Sequence, residues 1–160
     1  MASAEPLRRW ALRLGLSRLW LAAGLLCLLA VPAQAPAQVF DLSKVRRGAT
    51  LEVIYLGTPD CPYCQHWESR AKGELLASPL AASFRFHEVI GRTLRQPIME
   101  QHYPDELRWL SDKLGPSRGV PRFLLTADRM IIASVFGTNA YETQFLPALR
   151  EAVARRNAGA

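Results

Sequence analysis

The sequence has 160 residues, of which 49% are hydrophobic, 9% aromatic and 21% charged, and its formal net charge is +6. This length suits one globular domain, and the apolar content excludes the collagen-like, low-complexity and disordered classes. Three cysteines are too few for a small domain stabilised mainly by disulfides.

Residues 1–37 are predicted to be an export signal. Four arginines precede the uncharged run Leu19–Val31. The 13 residues of this run are too few to span a membrane. Cleavage can follow Ala35 or Ala37, and we favour Ala37 because a proline follows Ala35. Removing four Arg and one Glu lowers the net charge from +6 to +3, which does not indicate nucleic-acid binding. We expect a periplasmic protein; the alternative is an uncleaved N-terminal anchor facing the periplasm.

The rest of the chain is predicted to contain one domain. Residues 38–49 form a lead-in that can include a short strand, residues 50–156 form the domain, and residues 157–160 form a C-terminal tail. The sequence contains no internal repeat and no low-complexity linker.

The first half of the domain predicts a strand, a helix and a second strand. Leu51–Leu56 is rich in β-branched and aromatic residues and ends before a Gly-Thr-Pro turn. Gln65–Leu76 has helical spacing that predicts one shared face for Trp67, Ala71, Leu75 and Leu76. Phe84–Ile90 alternates as a strand does. The order is that of a βαβ unit.

The second half predicts a helical segment followed by a hairpin. Arg92–Gly115 is polar and helical, and it ends at a Gly-Pro pair. Arg122–Thr126 and Met130–Phe136 are apolar strands separated by a short polar turn, which indicates an antiparallel hairpin.

A final helix is predicted over about Tyr141–Arg156, with Asn139 and Glu142 as its capping box. The predicted fold class is therefore α/β: a central mixed sheet, βαβ and then ββα, flanked by helices.

The chemistry of the chain concentrates in Cys61-Pro62-Tyr63-Cys64, directly after the first strand. The thiolate is the attacking species in disulfide exchange, and a helix N-terminus stabilises an anion. Cys61 is placed to be the nucleophile, and Cys64, one turn further on, to resolve the mixed disulfide. Pro62 suits the first helical turn, where its missing amide costs nothing.

Other interpretations of this motif remain open. The pair can be a static disulfide clip or part of a zinc site, but only His66, His87 and His102 are available as histidine ligands, without paired spacing. A copper carrier would use Cys61, Cys64 and His66. A redox-inert chaperone would use neither cysteine.

With its CPYC motif, this arrangement resembles the thioredoxin superfamily over nearly all of residues 50–156. The most specific parts are the CPYC motif and Gly119-Val120-Pro121 before the hairpin. The resemblance implies that Pro121 is cis and lies beside the dithiol, with Val120 and Pro121 forming the wall that meets the substrate. Pro62 and Tyr63 complete the predicted substrate-binding set. The alternative for Pro121 is that it merely begins a strand.

One residue departs from the family pattern. Thioredoxins carry a buried acid six residues before the first cysteine, and here that position is Tyr55. Asp60 and Glu52 are the nearest acidic alternatives in the sequence. Asp60 is interpreted as a solvated turn residue, because a carboxylate beside Cys61 would disfavour the thiolate.

We predict an exported thiol-disulfide oxidoreductase that exchanges disulfides with protein thiols through Cys61 and Cys64. A reductase is favoured, and a periplasmic disulfide oxidase is the alternative. The mechanism requires no metal and no organic cofactor, because electrons pass between dithiols and disulfides. The expected partners are protein substrates and a membrane redox protein. We expect a monomer and no nucleic acid.

Overall fold

A computed structural model describes residues 39–158. The predicted export signal over residues 1–37 lies outside these described residues. The strands are β1 (Val39–Phe40), β2 (Leu51–Gly57), β3 (Arg85–Ile90), β4 (Arg122–Ala127) and β5 (Met130–Phe136). The main helices are α1 (Pro62–Ser69), α2 (Ala71–Ala77), α3 (Arg108–Leu114) and α4 (Leu146–Asn157).

Short helical segments connect these elements. A short α-helical turn and a π-helical segment lead into α4, at Thr138–Ala140 and Tyr141–Phe145. The 3₁₀ segments are Leu42–Lys44, Pro79–Ser83, Glu100–His102 and Asp105–Leu107. Within residues 39–158, no helix combines the length and apolar character needed to cross a membrane.

The five strands form one mixed sheet in the order β1-β5-β4-β2-β3. β2 and β3 are parallel, and the other neighbouring pairs are antiparallel. The predicted α/β class, βαβ followed by ββα, is confirmed. β1, from the lead-in, pairs with β5 at the sheet edge, with Val39 opposite Ser134.

The alternation of side chains along β2 divides the interior into two cores. Val53 and Tyr55 belong to a large core that includes residues of α1, α2 and α4. Ile54 and Leu56 belong to a smaller core on the other face, which includes residues of α3. Helices therefore cover both faces of the sheet, as predicted.

The predicted hairpin is confirmed, and its turn is tight. β4 ends at Ala127 and β5 begins at Met130, so two residues make the turn. Both, Asp128 and Arg129, have positive φ angles, of 48° and 62°. Turns of this kind match the twist of the strands they join.

The predicted helix over Gln65–Leu76 is interrupted. Arg70 has φ −124° and ψ −76°, which separates α1 from α2. Trp67 and Leu75 are both buried in the large core, as their spacing predicted, whereas Leu76 is 41% exposed. Each of the two short helices therefore contributes one large buried side chain, Trp67 in α1 and Leu75 in α2.

Two other local predictions were wrong. Only Arg108–Leu114 of the predicted helical stretch 92–115 is α-helical, because its first part is a loop ending in an antiparallel bridge between Ile98 and Ser117. The capping box of Asn139 and Glu142 does not form, because helical structure already begins at Thr138.

Candidate active site

Cys61 lies where β2 gives way to α1. The strand ends at Gly57, a three-residue loop follows, and Cys61 is the N-cap residue of α1, with Pro62 in its first turn. The Cys61 sulfur accepts a hydrogen bond from the backbone N–H of Cys64 at 3.2 Å. A thiolate at this sulfur would receive the same N–H and the favourable field of the helix N-terminus.

Cys64 lies one turn further along α1 and is fully buried, and both cysteines are free thiols. Burial, followed by the hydrogen bond with Cys61, raises the pKa of the Cys64 thiol to about 12. The two thiols therefore differ in setting: one caps a helix, and the other is held protonated in the core. This is the asymmetry that an attacking and a resolving cysteine need.

The peptide bond between Val120 and Pro121 is cis. This geometry brings the Val120 carbonyl oxygen 3.7 Å from the Cys61 sulfur, whose S–H donates to it. The Pro121 carbonyl accepts the Gly137 N–H at 2.8 Å, which ties the proline to the end of β5. The Val120–Pro121 segment is thus held between the dithiol and the end of β5.

The predicted substrate-binding residues lie around Cys61. Pro62 and Tyr63 are exposed, Tyr63 to 67%, whereas Val120 is half-buried and Pro121 is buried. Trp67, three residues after Cys64, belongs to the core instead: it is 1% exposed.

Neither acidic candidate from the sequence contacts the dithiol. Asp60 accepts a hydrogen bond from the Thr93 hydroxyl and one from the Leu94 N–H, at 2.9 Å. The bond from Thr93 lowers the pKa of Asp60. The carboxylate therefore binds the loop that follows β3 rather than the dithiol. Glu52 contacts Thr126 at 3.3 Å and His87 at 3.4 Å instead.

The structure pairs Tyr55 with a different acid. The Tyr55 hydroxyl donates a hydrogen bond to Glu68 Oε1 at 2.7 Å. Burial, followed by the bond to Glu68, raises the pKa of Tyr55, so the phenol stays neutral. Sequence reasoning missed Glu68. The available signal was its position four residues after Cys64, on the same side of a helix.

His66 is exposed on α1 and is not gathered with the two buried cysteines. Across residues 39–158, no group of three or more His, Cys, Asp or Glu side chains is arranged to hold a metal ion. His87 and His102 contact local partners, Glu52 and the Met99 backbone.

No protein-family model and no curated protein matches the sequence. Several solved structures are similar. The periplasmic thioredoxin SoxS of Paracoccus pantotrophus is 18% identical, with a TM-score of 0.46, over 66% of this chain and 97% of that one. The thioredoxin of Malassezia sympodialis is 16% identical, with a TM-score of 0.48, over 76% and 96%. A thioredoxin from Thermus thermophilus is 20% identical, with a TM-score of 0.40, over 68% and 78%.

The fold assignment follows from the topology and the site of the chain itself. The mixed sheet has helices on both faces, the dithiol opens the first helix after β2, and the cis proline faces that dithiol. The chain therefore has the thioredoxin-like fold that its sequence predicted.

Proposed function

We propose that this chain is a thiol-disulfide oxidoreductase, with Cys61 as the nucleophile and Cys64 as the resolving thiol. The observation that carries the proposal is the position of Cys61: its sulfur caps α1 and receives the Cys64 N–H at 3.2 Å. Cys64 is the only other thiol among the described residues, and it lies within the same helical turn.

The reaction has two exchanges. The Cys61 thiolate attacks one sulfur of a substrate disulfide, so that a mixed disulfide forms and one substrate thiolate leaves. The Cys64 thiolate then attacks the Cys61 sulfur, which closes the Cys61–Cys64 disulfide and releases the second substrate thiolate. Two electrons have passed to the substrate, and a partner dithiol returns them by the reverse exchanges.

We propose that protein disulfides are the substrates, and that Pro62, Tyr63, Val120 and Pro121 bind the substrate chain. Tyr63 offers an exposed aromatic surface beside Cys61. The Val120 carbonyl faces the attacking sulfur, where it can accept an N–H from an extended substrate segment once the thiol has reacted.

We favour the reductase direction. A strongly oxidising dithiol is one whose reduced form is stabilised, chiefly through its thiolate. Within residues 39–158, the hydrogen bonds to the Cys61 sulfur involve only the Cys64 N–H and the Val120 carbonyl, and no Lys, Arg or His side chain. This setting supports a thiolate stabilised by the helix N-terminus alone. Disulfide oxidation of exported proteins is the alternative.

The proposed location is the periplasm, after removal of residues 1–37, and the proposed electron donor is a membrane redox protein. The sequence of the N-terminal segment supports export. A monomer is proposed, since the two cysteines of one chain complete the reaction.

The test is reduction of insulin disulfides by the purified protein with dithiothreitol as the electron donor. We expect the wild-type protein to accelerate insulin reduction and the Cys61→Ser variant to be inactive. The Cys64→Ser variant should accumulate a mixed disulfide on Cys61, visible by mass spectrometry. Wild-type protein that neither reduces insulin nor forms its own disulfide would refute the proposal.

A further inference from the structure

The dithiol lies at one edge of the sheet, where three segments of the chain meet. β2 and β3 are parallel, so both end at this edge, with Gly57 opposite Ile90. β4 is antiparallel to β2 and begins opposite Leu56, one residue before the end of β2. The segments that follow β2 and β3 and the segment that precedes β4 are therefore neighbours. We define the dithiol edge as residues 58–64, 91–99 and 115–121.

Hydrogen bonds hold two of these segments beside the reactive cysteine. Asp60, the residue before Cys61, accepts the Leu94 N–H at 2.9 Å and also accepts the Thr93 hydroxyl. From the other segment, the Val120 carbonyl oxygen lies 3.7 Å from the Cys61 sulfur. A protein chain that brings its disulfide to Cys61 therefore lies against the loop after β3 and the loop before β4.

The charge of the dithiol edge is positive. It contains three arginines, Arg92, Arg95 and Arg118, and one acidic residue, Asp60, which gives a formal charge of +2. All three arginines are exposed. Among the described residues, none of the three forms a salt bridge. Their charges are therefore available to a partner.

The arginines stand on both sides of the dithiol. Arg92 and Arg95 directly flank the two residues that bind Asp60. Arg118 lies two residues before Val120, and consecutive Cα atoms are about 3.8 Å apart. The long, flexible side chain of arginine extends the reach of each position. A substrate segment bound at Cys61 is thus within reach of positive charge from two directions.

Arg122 adds a positive charge directly behind Pro121. Its guanidinium is half-buried and donates to the Ser117 hydroxyl at 3.1 Å and to the Ser134 hydroxyl at 3.1 and 3.2 Å. It also lies over the Phe136 ring, 4.7 Å from the centroid. Hydroxyls and an aromatic ring carry no formal negative charge, and no carboxylate within residues 39–158 pairs with this guanidinium. Its field therefore adds to that of the exposed arginines.

Two large apolar side chains are exposed at the same edge. Tyr63 is 67% exposed and Leu94 is 47% exposed. Protein interfaces combine apolar contacts at their centre with polar and charged contacts around them. The dithiol edge offers both kinds of contact to a protein that reacts at Cys61.

We propose that the dithiol edge selects protein disulfides that are flanked by acidic residues. Arg92, Arg95 and Arg118 bind carboxylates on either side of the cystine, while Tyr63 and Leu94 contact its apolar neighbours. Opposite charges accelerate association and fix the orientation of the two proteins, and salt screens this effect. This inference rests on the proposed dithiol–disulfide exchange, for which it names the substrate class.

Three peptides of equal length test the selectivity. Each contains one intramolecular disulfide, and the residues that flank the cystine are all Glu, all Ser or all Lys. The purified, reduced protein is mixed with each peptide, and the rate constant for peptide reduction is measured by acid quenching and chromatography. Each rate constant is divided by that of the same peptide with dithiothreitol, which corrects for differences in the intrinsic reactivity of the disulfides.

We expect the normalised rate constant of the Glu peptide to exceed that of the Lys peptide by at least about tenfold in dilute buffer, the lower range for electrostatic steering. The Ser peptide should lie between them. At about 1 M salt, where the Debye length is about 3 Å, the three values should converge. The triple variant Arg92→Gln, Arg95→Gln, Arg118→Gln should lose most of the preference for Glu in dilute buffer.

A matched control removes the same charge from the opposite edge of the sheet. Arg47, Arg85 and Arg129 are exposed and lie before β2, at the start of β3 and in the hairpin turn. The Thr50 N–H donates to the Asp128 carboxylate at 2.9 Å, which joins the start of β2 to that turn. The triple variant Arg47→Gln, Arg85→Gln, Arg129→Gln should keep the wild-type preference.

Two results would overturn the selectivity. One is equal normalised rate constants for the Glu and Lys peptides with the wild-type protein in dilute buffer, while insulin is still reduced. The other is an equal loss of preference in the two triple variants, because net charge rather than the dithiol edge would then explain it. Failure of the wild-type protein to reduce any peptide or insulin would instead overturn the proposed function.

Discussion

Gly57 and Tyr55 are packed so closely that only glycine fits. A Cβ at position 57 would overlap the hydroxyl oxygen of Tyr55, two residues earlier on the same strand. The hydroxyl in turn donates to Glu68. The strand that leads to the dithiol therefore also positions the hydroxyl that pairs with Glu68.

The first prediction is that Gly57→Ala displaces the Tyr55 hydroxyl. The added methyl group must push the ring out of place, at about 1–3 kcal/mol of unfolding free energy, as for other overpacked cores. The displaced hydroxyl should also lose its hydrogen bond to Glu68. Urea unfolding measures the loss of stability.

Gly73→Ala is the matched control for this change. Gly73 lies within α2, and a Cβ there would contact nothing within 4 Å. Alanine should stabilise the helix by about 0.5–1 kcal/mol, so the two variants should change stability in opposite directions. Equal behaviour of the two alanine variants would contradict the packing described for Gly57.

The second prediction concerns alkaline pH and the reduced protein. The pKa of Cys64 rises from 9.0 to about 12 on folding, chiefly through burial, so the folded state holds its proton more tightly than the unfolded state. The resulting stabilisation is fully present below pH 9 and is lost as the pH rises towards 12. The free energy of unfolding of wild type should therefore fall relative to Cys64→Ser between pH 9 and pH 11.

Urea unfolding of both reduced proteins at pH 7, 8, 9, 10 and 11 gives this comparison, with the tyrosines and lysines common to both. The difference should be constant from pH 7 to pH 8. A difference that stays constant, or grows, above pH 9 would show that Cys64 is not held protonated by the fold.

The third prediction separates core from surface among the aromatic residues near the dithiol. Trp67 is buried between Tyr55, Phe123 and Tyr141, so Trp67→Ala should cost about 3–5 kcal/mol of unfolding free energy. Tyr63 is 67% exposed, so Tyr63→Ala should change stability by no more than about 0.5 kcal/mol.

Tyr63→Ala should instead weaken the reaction with protein substrates. We expect a higher KM for insulin and an unchanged rate with a small aromatic disulfide, because only the protein substrate reaches the side chain. Equal effects on both substrates would assign Tyr63 to the reaction itself rather than to substrate docking.

The fourth prediction is that Asp60 orders the loop after β3. Its carboxylate accepts the Leu94 N–H and the Thr93 hydroxyl, and these bonds are strongest when the carboxylate is ionised. Asp60→Asn should accelerate hydrogen exchange at the Leu94 amide while leaving exchange at Val53, in β2, unchanged. Unaltered exchange at Leu94 would show that other contacts hold the loop.

Local sequence patterns predicted the parts of the fold that local forces determine. The apolar run of β2 and the polar turn at Asp128 and Arg129 have the patterns of a buried strand and a two-residue hairpin turn, and both were predicted correctly. The stretch before α3 was predicted wrongly. Its bonds from Leu94 to Asp60 and from Ile98 to Ser117 connect residues distant in sequence, which helical periodicity does not detect.

The candidate site, too, was predicted from the sequence only where its residues are contiguous. The CxxC spacing predicted where Cys61 and Cys64 lie, because the motif is contiguous. The pairing of Tyr55 with Glu68 joins a strand to a helix thirteen residues later, and it depends on the ring orientation that Gly57 permits. Nothing in the local sequence expresses that orientation.

The equilibrium reduction potential of the Cys61–Cys64 pair is the most direct test of the central claim. The purified protein is equilibrated in dithiothreitol or glutathione buffers, and the fraction of oxidised protein is measured by thiol trapping. A reversible two-electron transition at about −270 mV is the result predicted for a reductase. A value of about −120 mV would instead indicate an oxidase. No reversible transition at all would contradict dithiol–disulfide exchange itself.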